Sequence, residues 1–202
     1  MIYLIGGPAR CGKSTLGRRV RKEIDGQAIA GDAFVYALKK NLEPSWVPDI
    51  FDHDVAHIGI EHASAEVDRL RRRDETMWQF YQAYLETAHE DAPADDFLLE
   101  GNLWPDYLEL FGLPCRAVYL IDTSTDEQVT RLKGIRDSMS DNNWMRNFTD
   151  EKLHEWARFN AARSLRYREL CEAGGSRYFD IAELGIGTAG DRAFEYLLAK
   201  EV

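Results

Sequence analysis

The stretch Gly7-Pro8-Ala9-Arg10-Cys11-Gly12-Lys13-Ser14 limits what this chain can fold into more than any other. It fits the pattern G-x-x-x-x-G-K-[ST], with Thr15 next, and its flanks suit that pattern. Ile2-Tyr3-Leu4-Ile5 is a short apolar, β-favouring run that reads as a buried strand. Thr15 to Ile24 reads as a helix with Leu16, Val20 and Ile24 on one stripe. Glycines in the turn let the backbone curl until successive N–H groups point at an anion. The positive end of the following helix adds to that field. The pattern therefore assigns Gly7, Pro8, Ala9, Arg10, Cys11, Gly12, Lys13, Ser14 and Thr15 to a phosphate cradle. Lys13 is expected at the β- and γ-phosphates of a nucleotide, and the Ser14 hydroxyl on Mg²⁺.

The chain's 202 residues predict one domain, 1–202, large enough for a real core. A net charge of −10 argues against a general nucleic-acid binder. Basic residues nevertheless cluster at Arg10 to Lys22, Arg69 to Arg73, Arg131 to Arg136 and Arg158 to Arg168. An acidic protein with local cationic patches suits a small phosphorylated ligand better than a polymer. Cys11, Cys115 and Cys171 are odd in number and lack metal spacing, so they read as free thiols in a reducing compartment. Cys11, inside the cradle, is expected to be oxidation-sensitive rather than catalytic. No apolar run approaches the ~20 residues of a membrane span. A strand that begins at Ile2 leaves no room for a signal peptide, so a cytoplasmic protein without membrane partners is expected. The sequence sets no subunit number.

Strands and helices alternate along the rest of the chain, the pattern of an α/β fold. Ala28-Ile29-Ala30 reads as a second strand, and Ala33 to Lys40 as the helix after it. Asp32 then lies at the carboxyl end of a strand, where open α/β sheets bind ligands. There it could hold a substrate hydroxyl, act as its base or organise Mg²⁺, or simply cap the helix. Residues 41–54 read as a loop, followed by one helix near 55–72 and another carrying Met77, Tyr81, Tyr84, Leu85 and Ala88. This helical insertion spans about 41–91, and its aromatic stripe reads as core. His53, His57 and His62 lack the spacing of a metal site. Phe97 to Gly101 reads as a third strand ending in Glu100, which could touch the Mg²⁺ shell or pair locally. Ala117 to Asp122 reads as a fourth strand, and Ser124-Thr125-Asp126-Glu127 as a capping box. The polar stretch 138–148 is flanked by Arg131, Lys133 and Arg136 on one side and by Arg158, Arg163, Arg166 and Arg168 on the other. That is the layout of a lid, about 134–150, closing over phosphates. Arg177 to Ile181 reads as a fifth strand, Ala182 to Gly190 as a glycine-containing loop, and Ala193 to Ala199 as a closing helix.

Gly7 to Thr15, Glu100 and Arg131-Leu132-x-Gly134-x-Arg136 together resemble the nucleoside-monophosphate-kinase-like group of P-loop kinases, which includes adenylate, shikimate, gluconate and chloramphenicol kinases. The resemblance follows element order over nearly the whole chain. It implies a three-layer α/β fold with a five-stranded parallel sheet, helices on both faces, an acceptor-binding helical insertion and a lid. It implies ATP and Mg²⁺, with Ser14, Glu100 and Asp32 as metal-shell residues, and Lys13, Asp32, Glu100, Arg131 and Arg136 as catalytic ones. Arg146 is a further lid arginine. The group's lid usually reads R-L-x-x-R, so Arg136 stands one residue late. In sugar- and acid-kinase members an Asp at the position of Asp32 touches the acceptor hydroxyl. Glu100-Gly101 followed by Pro105 also resembles 2-phosphoglycerate kinases. The Asp-Gly-Phe-Pro-Arg run of adenylate kinases is replaced by Glu100-Gly101-Asn102-Leu103-Trp104-Pro105. The expected activity is ATP-dependent phosphoryl transfer to a hydroxyl or phosphate on a small molecule. The rival from another class is a nucleotide-binding switch that signals to a protein partner.

Overall fold

Alternation along three apolar strands decides the architecture. In β1 (Ile2–Gly6), β3 (Asp96–Glu100) and β4 (Cys115–Ile121), side chains go by turns to two separate cores. Ile2, Leu4, Phe97, Leu99, Tyr119 and Ile121 enter one, whereas Ile5, Leu98, Val118 and Leu120 enter the other. Strands buried on both faces need helices on both faces, the condition of a parallel sheet. The computed structural model, which describes residues 1–51, 63–138 and 145–199, has five parallel strands in the order β2-β3-β1-β4-β5. β2 (Gly26–Ala30) and β5 (Arg177–Asp180) form the edges. Helices α1 (Lys13–Val20) and α8 (Ile186–Leu198) cover one face. Helices α4 (Ala63–Asp91) and α6 (Asp150–Gly174) cover the other. This is the predicted three-layer α/β fold.

Several elements differ from their expected form. Helix α1 ends at Val20, and Ile24 packs against the core from the turn beyond it. The two expected insertion helices are one, the 29-residue α4, because no Pro or Gly interrupts residues 63–91. Arg73 and Asp74 are buried in its middle and break the apolar stripe, which made one helix read as two. Met77, Tyr81 and Leu85 are core, as their spacing predicted, while Tyr84 stays partly exposed. The expected loop Ala182 to Gly190 is instead a short α7 (Ile181–Leu184) and the first turn of α8, which starts seven residues before the predicted closing helix. Gly187 and Gly190 lie inside α8, and only Gly185 breaks the chain there, at φ 76°. Helix α2 (Gly31–Asn41) likewise starts early, and α3 (Pro48–Phe51) interrupts the expected loop. Two parts of the sequence reading fall outside the described residues: 52–62, with His53, His57 and His62, and 139–144, the middle of the expected lid.

Candidate active site

The register of the sheet brings four strand ends to one edge. Ile5 pairs with Glu100, Ala30 with Glu100, and Gly6 with Tyr119. The chain leaves β1 at Gly7, whose φ is 127° and where a Cβ would lie 2.0 Å from the Leu120 carbonyl oxygen. Only glycine lets the loop turn this tightly against β4. Arg10 (φ 64°) and Gly12 (φ 84°) are left-handed, and the Gly12 carbonyl accepts from Thr15 and Leu16 to start α1. This sequence of backbone conformations aims loop amides inward at the head of a helix. Asn160, on α6, donates through Nδ2 to the Ala9 carbonyl at 3.3 Å and braces the loop from outside.

Lys13 is buried and donates to the Pro8 carbonyl at 2.7 Å. Burial lowers its pKa, against the opposing charges of Glu100 and Asp32. Ser14 donates through Oγ to Glu100 Oε1 at 3.1 Å. Burial raises the Glu100 pKa, only partly offset by Lys13 and the Ser14 hydrogen bond. Asp32 does not cap α2, whose N-cap is Ala30. It stands exposed in the first helical turn with no hydrogen bond or ion pair among the described residues, while its charge acts on Arg10, Lys13, Arg73, Tyr81 and Glu100. Lys13, Ser14, Glu100 and Asp32 are thus brought together, Ser14 and Glu100 by contact and Asp32 through its field. Thr15 is exposed and accepts from Arg18 at 3.2 Å. Cys11 departs from its expected sensitivity: it is fully buried, and burial pushes its thiol up to about 11, so it stays protonated and shielded.

The two arginines after β4 part company. Arg131, on α5 (Thr125–Ser138), donates to Asp122 Oδ2 at 2.5 Å and lines a cleft of about 400 Å³ with Thr130, Ile181, Gly185 and Ile186. Ile186 also lies nearest to where a Cβ on Gly12 would point, so this cleft adjoins the loop. Arg136 instead donates to Asp150 Oδ1 at 2.8 Å and to the Phe148 carbonyl at 3.0 Å, fixed at the root of the expected lid. The capping box forms in half: Ser124 Oγ accepts from the Glu127 amide, but the Ser124 amide donates to Asp122 rather than Glu127.

A third group escaped the sequence reading. Asp74, in the middle of α4, accepts from Arg73 at Oδ1, and at Oδ2 from Trp104 Nε1 at 3.0 Å and Arg163 at 3.4 Å. Arg163 comes from α6, where it shares the buried face with Trp156, Asn160 and Tyr167. Trp104 stacks on Tyr167 at 4.2 Å between ring centroids. The available signal was the charged pair Arg73-Asp74 standing where the apolar period called for core.

No protein-family model matches the chain, and no curated protein matches it. Solved structures do. An uncharacterized protein from Eubacterium ventriosum superposes with a TM-score of 0.53 at 11% identity, covering 99% of both chains. Shikimate kinase from Bacteroides thetaiotaomicron superposes with a TM-score of 0.50 at 17% identity, covering 96% of this chain and 97% of the other. The chain has the fold of that shikimate kinase, with a five-stranded parallel sheet. The register of that sheet accounts for the shared edge at which the glycine-rich loop, Glu100 and Asp32 meet. Among the described residues, no helix of this fold is long and apolar enough to cross a membrane.

Proposed function

We propose that this protein is an ATP- and Mg²⁺-dependent kinase that transfers the γ-phosphoryl group to a hydroxyl on a small molecule. The observation that carries the reading is Ser14 bonded to Glu100 at the loop, beside buried Lys13 and an exposed Asp32 with no hydrogen bond or ion pair among the described residues. The Ser14 hydroxyl and Glu100 carboxylate are hard oxygen donors, and the described residues hold no cluster of three or more His, Cys, Asp or Glu fit for a metal. That sparse donor set fits Mg²⁺, which keeps several waters and completes its shell with phosphate oxygens. Bound there, the ion would neutralise phosphate charge.

The chain's own residues do the rest. Loop amides and Lys13 hold the phosphates, Lys13 exchanging the Pro8 carbonyl for them. Asp32 orients the acceptor hydroxyl and takes its proton as the hydroxyl oxygen bonds to the γ-phosphorus. The bond from phosphorus to the bridging oxygen breaks, and ADP leaves with that electron pair. Arg131 borders the nucleotide cleft. Arg136 reaches phosphate only by leaving Asp150. The test is coupled ADP release from Mg-ATP over a panel of small hydroxyl acceptors. Lys13→Ala is expected to abolish acceptor-dependent turnover, and Asp32→Asn to lower it by about 10²–10⁴-fold. Full turnover in Lys13→Ala sinks the reading, and slow acceptor-independent hydrolysis would favour the switch.

A further inference from the structure

Arg71, Arg73 and Arg163, on α4 and α6, are each already engaged. Arg71 and Arg163 both lie over the Trp104 ring, at 5.4 and 5.7 Å. Arg71 is paired with Asp106. Arg73 and Arg163 are both paired with Asp74. Arg73, Asp74 and Arg163 are 7%, 3% and 2% exposed, so water screens these pairs little. They adjoin the Asp32 side of the site: Trp104, four residues after Glu100, donates to Asp74, and Tyr81, further along α4, donates to the Gly31 carbonyl next to Asp32. Taken together, Asp32, Arg73, Asp74 and Arg163 carry two charges of each sign.

The geometry points to an uncharged alcohol as the acceptor, with Asp74 as the residue that turns carboxylates and phosphates away. An anionic acceptor would have to displace a carboxylate built into the helix and already holding both forks, then leave that carboxylate buried without partners. The hydrogen-bonding capacity left over points the same way. On α6, Asn160 Oδ1 and Arg163 Nε are buried with no partner among the described residues. One is an acceptor and the other a donor, the pair that a hydroxyl, itself both donor and acceptor, satisfies. Asp32 supplies the one exposed carboxylate of the group. This inference rests on the kinase reading only in placing the acceptor beside Asp32.

The test measures binding to the intact protein with Mg²⁺ and saturating ADP, so that the loop is filled and unavailable to other anions. The probes are matched pairs titrated calorimetrically: methyl shikimate against shikimate, glucose against gluconate, and adenosine against AMP. The wild type is expected to bind the neutral member at least about tenfold more tightly, and Asp74→Asn to shift that ratio about tenfold toward the anion. An anionic member that binds the wild type more tightly than its neutral partner overturns the inference. So does a folded Asp74→Asn protein with an unchanged ratio. Should that variant not fold, the wild-type comparison decides alone. Binding requires no phosphoryl transfer, so failure of the kinase reading is distinguishable: the neutral preference persists while the preferred acceptor releases no ADP from Mg-ATP.

Discussion

Glu100 carries a conflict between stability and function in one side chain. Burial raises its pKa above the unfolded carboxylate value of about 4.3. A group that holds its proton more tightly when folded stabilises the fold below its unfolded pKa, and that contribution is lost as pH rises through the folded value. At pH 7 the ionised Glu100 therefore weighs against the empty protein. Glu100→Gln keeps an acceptor for Ser14 and removes the charge, so its thermal midpoint should exceed the wild type's at pH 7. The gap should close as pH falls toward the unfolded carboxylate value. Acceptor-dependent turnover of the same variant should drop by about 10²-fold. A variant less stable than wild type at pH 7 would show that the carboxylate is structural. The buried pair Arg73-Asp74 was harder to read at this scale, because sequence alone does not tell a buried charge from a solvated one. The partner that permits the burial, Arg163, lies 89 residues away from Asp74.

At the scale of elements, most strands were legible because they are short apolar runs bounded by turns. Ile2 to Ile5 is one residue short of the observed β1, and Phe97 to Gly101 is offset by one from β3. The glycine-rich loop was legible because its chemistry is local. Its cost for any side chain is local too: a Cβ on Gly7 meets the Leu120 carbonyl oxygen at 2.0 Å, at a φ of 127°. Gly7→Ala should destabilise the protein by about 2–3 kcal/mol, read by urea denaturation, with nucleotide binding lost. An alanine tolerated there without change in midpoint would mean that the loop adopts another path. Helix ends were less legible. Glycine at 187 and 190 suggested a loop, but α8 buries Ala189, Ala193 and Leu197, and that packing outweighs the two unfavourable residues.

Across the whole molecule, α1, α5 and α8 border the glycine-rich loop and its cleft, α2 and α4 border Asp32, and α6 touches both sides. A ligand that binds only the folded protein stabilises it by about 2.7 kcal/mol at a hundred times its Kd. For a chain of this size that corresponds to roughly 5–10 °C in thermal midpoint. Mg-ADP should produce such a rise in the wild type and none in Lys13→Ala, as differential scanning fluorimetry would read. The Asp32 side was the less legible in sequence, since the charges near it are set by partners on α4, α6 and the segment after β3 that only the fold unites.

Helix α6 ties these two halves to a single angular phase. Asn160, under the Ala9 carbonyl, and Arg163, on Asp74, are one turn apart on the same rod, whose start is set by Thr149 accepting from the Lys152 amide at 3.2 Å. Each residue turns an α-helix by about 100°, so one residue gained or lost between Thr149 and Asn160 would swing both side chains off their targets together. Substitution can retune either half alone, but a change of length in that stretch disconnects both. Drift in chain length among descendants of this sequence is thereby excluded from the ten positions between the cap and the first of the two contacts.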